Sequence, residues 1–204
     1  GPESDEEKAA EEKKPEVIVV NRLQHKRDGV GYLDEKRNHI WIIPVKGGEP
    51  KKLLDGPYDE QSISFSPDGK EILFESNRTA NPDANRDSNI WAVDVENGKI
   101  RQITTDRRAD SSPSWSNNGQ FIAYSGGANP IYGTTFLWVV ASSGEKPQMI
   151  TSRLDRNVRG KPLWSKDDKY IYFILEDSGN VHLSRIPSSG GEIERVVAGE
   201  RTVG

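Results

Sequence analysis

The sequence predicts an all-β fold, a small or partial β-propeller of about four blades with four antiparallel strands in each blade. Three observations support this prediction. Short runs alternate between apolar and polar residues, turn-forming sequences join the runs, and the whole pattern returns at spacings of 50 and 49 residues. Strand-only repeats of roughly 40–50 residues are typical of propeller blades, whereas helical repeats need apolar residues at three- and four-residue spacing.

The second blade, predicted at 62–104, carries the clearest pattern. Residues 63–65 and 72–74 alternate as half-buried strands do. The sequence SPDG at 66–69 forms a turn, because Pro presets φ, Asp bonds its own backbone and Gly accepts a positive φ. The Asn-Gly pair at 97–98 suits a tight hairpin. We therefore predict strands at 62–66, 70–75, 89–94 and 100–104.

Two sequence columns repeat this blade along the chain. FSPDG at 65–69 recurs as WSNNG at 115–119 and WSKDD at 164–168, and an aliphatic residue precedes Trp at three equivalent positions. The altered residues weaken the two later turns without changing the architecture. Large aromatic side chains such as Trp115 and Trp164 supply much of the predicted core. The blades are predicted at 17–54, 62–104, 113–151 and 162–197, within a propeller segment that spans 15–204.

Residues 1–14 are predicted to be a disordered, charged tail, because they combine acidic and basic residues without an apolar stripe. An acidic tail that binds a partner is the alternative interpretation. The first two residues, Gly-Pro, are typical of the scar that a protease leaves after removal of a tag, so any natural signal sequence could have been removed.

The composition limits the classes of function. The net charge is −4, which gives no electrostatic reason to expect nucleic acid, and no apolar run reaches the length of a membrane span. The absence of cysteine excludes disulfides and thiolate metal sites and suits a reducing compartment. We expect a cytoplasmic location, with neither nucleic acid nor a membrane as partner.

The sequence contains none of the compact catalytic motifs. G-x-S-x-G, H-E-x-x-H and Walker sequences are all missing, so no catalytic residue, metal site or cofactor is predicted. The loop at 77–88 is rich in oxygen atoms that could bind calcium, but its Asn, Asp and Pro residues are also ordinary turn formers. His39 and His182 occupy equivalent positions of the repeat, which favours a structural role.

Five arginines on the connections that follow the second and third blades are the candidate binding residues. Corresponding connections lie on one face of a propeller, so their guanidinium groups could cluster and bind carboxylates of a substrate or partner. The simpler alternative is surface pairing with Asp106, Asp110 and Asp155. His25 lies in a loop and could contact a ligand, although a solvated histidine is the simpler interpretation. The arginines are Arg107, Arg108, Arg153, Arg156 and Arg159.

Several longer stretches are more specific than the repeat itself. They are VIVVNRL at 17–23, DGVGYLD at 28–34, ESNR at 75–78, NPD at 81–83, DRNV at 155–158, and short IYF, ED, HL and IP segments within 171–187. These stretches resemble the prolyl oligopeptidase family of serine peptidases, in its acylaminoacyl-peptidase-like branch, over about residues 15–197. The repeats alone also resemble Tol-system propellers. The paired-glutamate motif of the dipeptidyl peptidases is not visible.

The resemblance implies a propeller that stands over an α/β-hydrolase domain, which carries the Ser/Asp/His triad in this family. We then expect this chain to be non-catalytic by itself and to gate and position peptide substrates for that domain of a parent serine peptidase. The alternative is a stand-alone Tol-system-like propeller that binds a protein partner, and a weaker third hypothesis is an enzyme built within the propeller. Because four blades can form an open arc with exposed ends, self-association is also expected.

Overall fold

A computed structural model describes residues 19–20, 22–29, 31–33, 35–127, 133–177 and 179–197. These residues contain sixteen β-strands, a short 3-10 helix at Pro82–Ala84 and no α-helix, so none of them forms a helix long and apolar enough to span a membrane. The chain divides into two compact units, Gly1–Glu35 and Lys36–Gly204. The predicted tail at 1–14 and the end of the propeller segment at 198–204 lie outside the described residues.

The first unit contains one described pair of strands. β1 (Lys26–Arg27) and β2 (Gly31–Tyr32) run antiparallel, and the amide of Leu33 donates to the carbonyl of His25 at 2.8 Å. Gly29 lies in the turn between these strands with a φ of +76°, which glycine adopts without steric cost. Both strands fall within the first predicted blade.

The second unit begins with a pair of strands and continues as three four-stranded antiparallel sheets, each with its strands in chain order. β3 (Trp41–Ile42) pairs with β4 (Lys51–Lys52). We call the three sheets blades two, three and four. Blade two consists of β5 (Gln61–Phe65), β6 (Glu71–Ser76), β7 (Asn89–Asp94) and β8 (Ile100–Gln102). Blade three consists of β9 (Ser111–Trp115), β10 (Phe121–Gly127), β11 (Thr135–Ala141) and β12 (Gln148–Met149). Blade four consists of β13 (Val158–Trp164), β14 (Tyr170–Asp177), β15 (Asn180–Pro187) and β16 (Glu194–Arg195).

The same hydrogen-bonded turn joins the first two strands of every complete blade. A serine hydroxyl donates to the Asp or Asn side chain two residues later and accepts from the amide five residues later, at distances of 2.7–2.9 Å. The serines are Ser66, Ser116 and Ser165. Because the hydroxyl and the Asx side chain form the turn, it survives where Pro67 of the first copy is replaced by Asn or Lys in the later ones.

Apolar cores fill the spaces between neighbouring sheets. The largest fully buried side chain, Tyr124, lies in the core between blades two and three. A second core, which includes Phe173, joins blades three and four, and a third, which includes Phe74, joins the β3–β4 pair to blade two. Each sheet therefore buries its faces against its neighbours in the chain, as the blades of a propeller do.

The first strands of the three complete blades gather together. β5 lies against β9, β9 lies against β13, and each of the three is the end strand of its sheet. Sheets that stack face to face, with their first strands gathered at the centre, form a β-propeller. The predicted all-β propeller fold is confirmed.

The first predicted blade and the predicted core tryptophans differ in detail from expectation. The described strands of that blade form two separate pairs, β1–β2 and β3–β4, rather than one sheet. Trp115 and Trp164 are only partly buried, although both pack against the cores between blades. Phe65 at the equivalent position is 55% exposed, because the sheet that precedes it in the same unit consists of only the β3–β4 pair.

Candidate functional site

Two kinds of connection meet on one face of the second unit, which we call the connection face. The first kind leads from the fourth strand of one sheet to the first strand of the next, and the second leads from the second strand of a sheet to its third. The hydroxyl of Ser88 donates to the carbonyl of Asp110 at 3.1 Å, and the amide of Thr135 donates to the side chain of Asn157 at 3.0 Å. These bonds join the two kinds of connection.

A buried carboxylate with an arginine and a histidine as partners lies where the connection face meets blade two. The side chain of Glu60 is fully buried, and one of its oxygens accepts from Arg78 at 2.5 Å while the other contacts Nδ1 of His39 at 2.8 Å. The Arg78 guanidinium also lies over the rings of Tyr58 and Trp91, at 5.1 and 5.7 Å from their centroids. His39 therefore has a structural contact, as its position in the repeat predicted.

A second buried carboxylate, Asp110, lies fifty residues after Glu60 at the equivalent position of blade three. Burial raises its pKa to about 7, an effect that Thr104 and the nearby Arg108 guanidinium only partly offset. One oxygen accepts from Arg108 at 3.2 Å, and the other has no hydrogen-bond partner among the described residues. Gly126 makes room for this carboxylate, since a Cβ there would lie 2.4 Å from it.

Aromatic side chains enclose the Asp110 site. The Arg108 guanidinium stacks on the ring of Trp138 at 3.8 Å, and the Trp138 and Tyr124 rings stack at 6.3 Å. Burial, with the charge of Asp110 as a second cause, raises the pKa of Tyr124. The Tyr124 hydroxyl is also without a partner in the described part of the chain. The buried Asp110 side chain thus lies beside a guanidinium group that stacks on a pair of aromatic rings.

A third carboxylate, Asp177 of blade four, forms ion pairs with Arg156 and Arg195. Two small clefts adjoin it: one of about 390 Å³ beside Asn157 and Asn180, and one of about 340 Å³ beside Leu154 and Arg195. Glu60 and Asp110 lie on connections, whereas Asp177 ends β14, and each of the three binds at least one arginine. Sequence reasoning missed the set, although Glu60 and Asp110 each lie shortly before a predicted blade, at 62 and 113, and differ by the repeat spacing.

Of the five predicted arginines, three form ion pairs and two form none within the part of the chain that the structure describes. Arg108 pairs with Asp106 and Asp110, Arg156 pairs with Asp155 and Asp177, and Arg159 pairs with Glu176 at 2.6 Å. Arg107 and Arg153 are exposed and form no ion pair within the described ranges. For Arg108 and Arg156, these contacts are the pairing that the simpler alternative predicted.

Arg153 lies in the largest of the clefts described. This cleft, of about 570 Å³, is formed by the end of blade three, 148–154, and by the last turn of blade four, 189–193. His25 belongs to the first unit, where it is exposed and its ring contacts the carbonyl of Leu23 at 3.3 Å. Its predicted role as a ligand contact stays a prediction.

The oxygen-rich loop at 77–88 is held by its own hydrogen bonds. Nδ2 of the Asn77 side chain donates to Oδ1 of Asn85 at 2.8 Å, and Nδ2 of Asn85 donates to the hydroxyl of Thr79 at 2.9 Å. These bonds suit the turn interpretation of the loop. No group of three or more His, Asp or Glu suited to a metal ion occurs within the described residues.

Comparison with known proteins identifies peptidases as relatives. The uncharacterized peptidase YuxL of Bacillus subtilis (strain 168) is 31% identical over 93 residues, which cover 46% of this chain and 14% of the relative. Dipeptidyl-peptidase 5 of Porphyromonas gingivalis is 24% identical over 162 residues, 76% of this chain and 24% of the relative. The chain thus spans less than a quarter of the length of these curated relatives.

Solved structures confirm the fold. A putative TolB from Agrobacterium tumefaciens superposes with a TM-score of 0.64 at 20% identity, over 79% of this chain and 57% of that one. An acylaminoacyl peptidase gives a TM-score of 0.63 at 16% identity, over 93% and 28%. A prolyl endopeptidase gives 0.60 at 15% identity, over 83% and 27%.

The family comparison extends over most of the propeller. The sequence matches the family described as the dipeptidyl peptidase IV (DPP IV) N-terminal region, over residues 12–131 and 66–164. The resemblance to prolyl oligopeptidase-type propellers, first observed in segments such as ESNR and DRNV, is thereby confirmed. The chain belongs to the DPP IV N-terminal region family.

Proposed function

We propose that this chain is the propeller part of a serine peptidase of the prolyl oligopeptidase family, and that it admits and positions extended peptides for a separate hydrolase domain. The observation that carries the proposal is the stacking of whole blades, through shared apolar cores, in a chain whose relatives are peptidases. A rigid disc with a narrow centre would admit a flexible peptide and exclude a folded protein.

The buried carboxylates of the connection face support a positioning role rather than catalysis. Glu60 and Asp110 are enclosed by cations and aromatic rings. Arg107 and Arg153, exposed on the same face, remain available to carboxylates of a peptide or of the neighbouring domain. The proposal therefore assigns bond cleavage to the hydrolase domain and contact with peptides to the propeller.

A stand-alone propeller that docks a protein partner is the second candidate. The superposition on the putative TolB covers 57% of that chain, and this similarity of fold favours the second candidate. The complete reading frame discriminates between the two candidates. A G-x-S-x-G sequence downstream of this segment supports the peptidase, whereas a signal peptide and no further domain support the binding module.

The test measures hydrolysis by the protein that the complete reading frame encodes. Its substrates are a flexible N-acylated peptide and a folded domain that carries the same sequence in a surface loop. We expect cleavage of the flexible peptide alone, and we expect this chain by itself to cleave neither substrate. Equal cleavage of both substrates by the complete protein would remove the screening role.

A control separates true absence of activity from inhibition or contamination. Activity of the complete protein is expected to disappear after treatment with a serine-directed fluorophosphonate. If this chain alone turned over acylated peptides after that treatment, and a point substitution in it abolished the turnover, the proposal would be wrong.

A further inference from the structure

Each first strand of the complete blades contains a β-bulge at the same place. The pairing register with the second strand shifts between Gln61 and Ser64 in β5 and between Arg159 and Leu163 in β13. In β9 it shifts between Ser111 and Ser114, which pair with Ser125 and Ala123 of β10. A residue with a left-handed backbone stands at each bulge. These residues are Ser62 (φ 52°), Ser112 (φ 54°) and Gly160 (φ 75°).

Two of these bulges hold a serine in a conformation that non-glycine residues rarely adopt. A strained backbone of this kind persists only where the surroundings enforce it, and it is often found where a chain contacts a ligand. A bulge also leaves backbone groups of the extra residue out of the strand ladder. Since β5, β9 and β13 are end strands gathered at the centre, these backbone groups lie along one central surface.

One cation reaches this central surface from blade four. Nζ of Lys161, next to the bulge residue Gly160, donates to the carbonyl of Ile63 in the bulge of blade two at 3.0 Å. The bond joins the first strands on either side of β9. Desolvation lowers the pKa of Lys161, and no carboxylate within the described ranges lies at ion-pair distance from it. The ammonium group is thus held by a neutral acceptor alone.

The surroundings of Lys161 are apolar and accessible. In the first strands, Ile63 is 49% exposed, Phe65 is 55% exposed and Leu163 is 60% exposed. A partly desolvated cation beside exposed apolar side chains, at the end strand of a sheet, complements an extended chain that carries apolar side chains and a carboxylate.

We propose that the inner-strand bulges form a peptide site in which Lys161 binds a carboxylate of an extended, apolar peptide. The carboxylate would replace the Ile63 carbonyl as the acceptor of the ammonium group, and the free edges of the first strands would bond the peptide main chain. The inference rests on the proposed function, because it names how the propeller would hold a peptide. Peptides can offer a C-terminal carboxylate or an acidic side chain, and the experiment distinguishes the two.

The experiment measures binding of three N-acetylated peptides to this chain by calorimetry. The peptides are Ala-Ala-Phe with a free carboxylate, Ala-Ala-Phe amide, and Ala-Glu-Phe amide. We expect the free acid to bind about tenfold or more tightly than its neutral amide, the size of effect that one charge-assisted bond supplies. Tight binding of the glutamate peptide would assign the site to acidic side chains instead of chain ends.

The variants Lys161→Gln and Lys169→Gln test the assignment to one residue. Lys169 is an exposed lysine on a turn, 3.5 Å from Asp167, and its replacement removes the same charge elsewhere. We expect Lys161→Gln to weaken binding of the free acid about tenfold and to abolish the preference over the amide, and Lys169→Gln to leave both unchanged. A preserved preference in Lys161→Gln would contradict the proposal.

The wild-type comparison keeps the test decisive if a variant fails to fold. Equal affinity for the acid and both amides would overturn the carboxylate site and leave the proposed peptide-positioning role intact. No binding of any of the three peptides would contradict both.

Discussion

At the scale of single residues, buried carboxylates bind the arginine side chains of the connection face. Asp110 lies against Arg108, whose guanidinium stacks on the ring of Trp138, and burial raises the pKa of Asp110 to about 7. In the unfolded chain the same carboxyl has an ordinary pKa near 3.8. The folded state therefore binds the proton more tightly, and its free energy depends on pH.

The first prediction follows from this difference. Between about pH 4 and pH 7 the folded state holds a proton that the unfolded state has lost, so the free energy of unfolding falls as pH rises through this window. The loss approaches about 4 kcal/mol at most, because each pKa unit corresponds to about 1.4 kcal/mol. We expect the Asp110→Asn variant to lack this decrease of the free energy of unfolding with pH. Urea unfolding at several pH values measures the free energy for both proteins.

Asp106→Asn is the matched control, because Asp106 pairs with the same arginine at an exposed position. We expect this variant to retain the pH slope of the wild-type protein. If Asp110→Asn and the wild-type protein had the same slope, Asp110 would not be the titrating group.

Neighbouring blades are also joined at the element level, through their repeated turns. Pro67 of the blade-two turn lies against Gly119 of the blade-three turn, with a Cβ at Gly119 placed 3.8 Å from the proline ring. At the next boundary both positions have changed. Asp168 replaces the glycine at a φ of 59°, and its carboxylate accepts from the backbone and side chain of Asn117 at 2.7 and 2.6 Å.

The second prediction is that these two replacements depend on each other. Asn117→Pro removes two of the three donors that reach Asp168 and leaves the backbone amide of Asn118 in place, whereas Asp168→Gly removes the acceptor. Each single variant should lower the free energy of unfolding by about 1–2 kcal/mol. The double variant restores the Pro–Gly pair of the other boundary and should cost less than the sum of the two, by at least about 0.5 kcal/mol. Strictly additive costs in a double-mutant cycle would refute the dependence.

The third prediction concerns the tryptophans between blades. Nε1 of Trp164 donates to the carbonyl of Ser114 at 3.3 Å, and its ring packs against the core between blades three and four. Trp164→Ala should therefore cost about 3 kcal/mol, the lower end for such truncations, because the ring is only partly buried. Trp41→Ala, at a ring that is 58% exposed, is the control and should cost far less. Equal melting shifts for the two variants would remove Trp164 from the core.

The strands and turns show what local sequence can predict. Alternation and the serine-Asx turns act within a few residues, so β5 to β8 were predicted close to their observed bounds. The bulges at Ser62 and Ser112 were not expected, since an extra residue disturbs a two-residue period only locally. The Asn117–Asp168 contact and the Lys161–Ile63 bond join residues of different blades that are far apart in sequence, which no local pattern encodes.

At the scale of the whole molecule, the second unit presents apolar side chains around its first pair of strands. Ile43 is 57% exposed and Val45 is fully exposed, while Val196 and Val197, at the other end of the described chain, are 45% and 40% exposed. Exposed apolar groups beside strand edges favour association. A second copy of the chain or a further blade of a longer protein would both cover such surfaces.

The fourth prediction is that this chain self-associates. Light scattering over a range of concentrations should give a mass above that of one chain, and the Ile43→Glu/Val45→Glu double variant should lower it. Lys51→Glu, which changes charge on the neighbouring strand without removing an apolar group, is the control. A mass of one chain at every concentration would count against association.

Chemical labelling of the reactive serine tests most directly whether bond cleavage belongs to a separate hydrolase domain. The protein encoded by the complete reading frame is labelled with a fluorophosphonate, digested and analysed by mass spectrometry, beside this chain treated in the same way. We expect one labelled serine, in a G-x-S-x-G sequence outside these 204 residues, and no label on this chain. A labelled serine within these residues would contradict it.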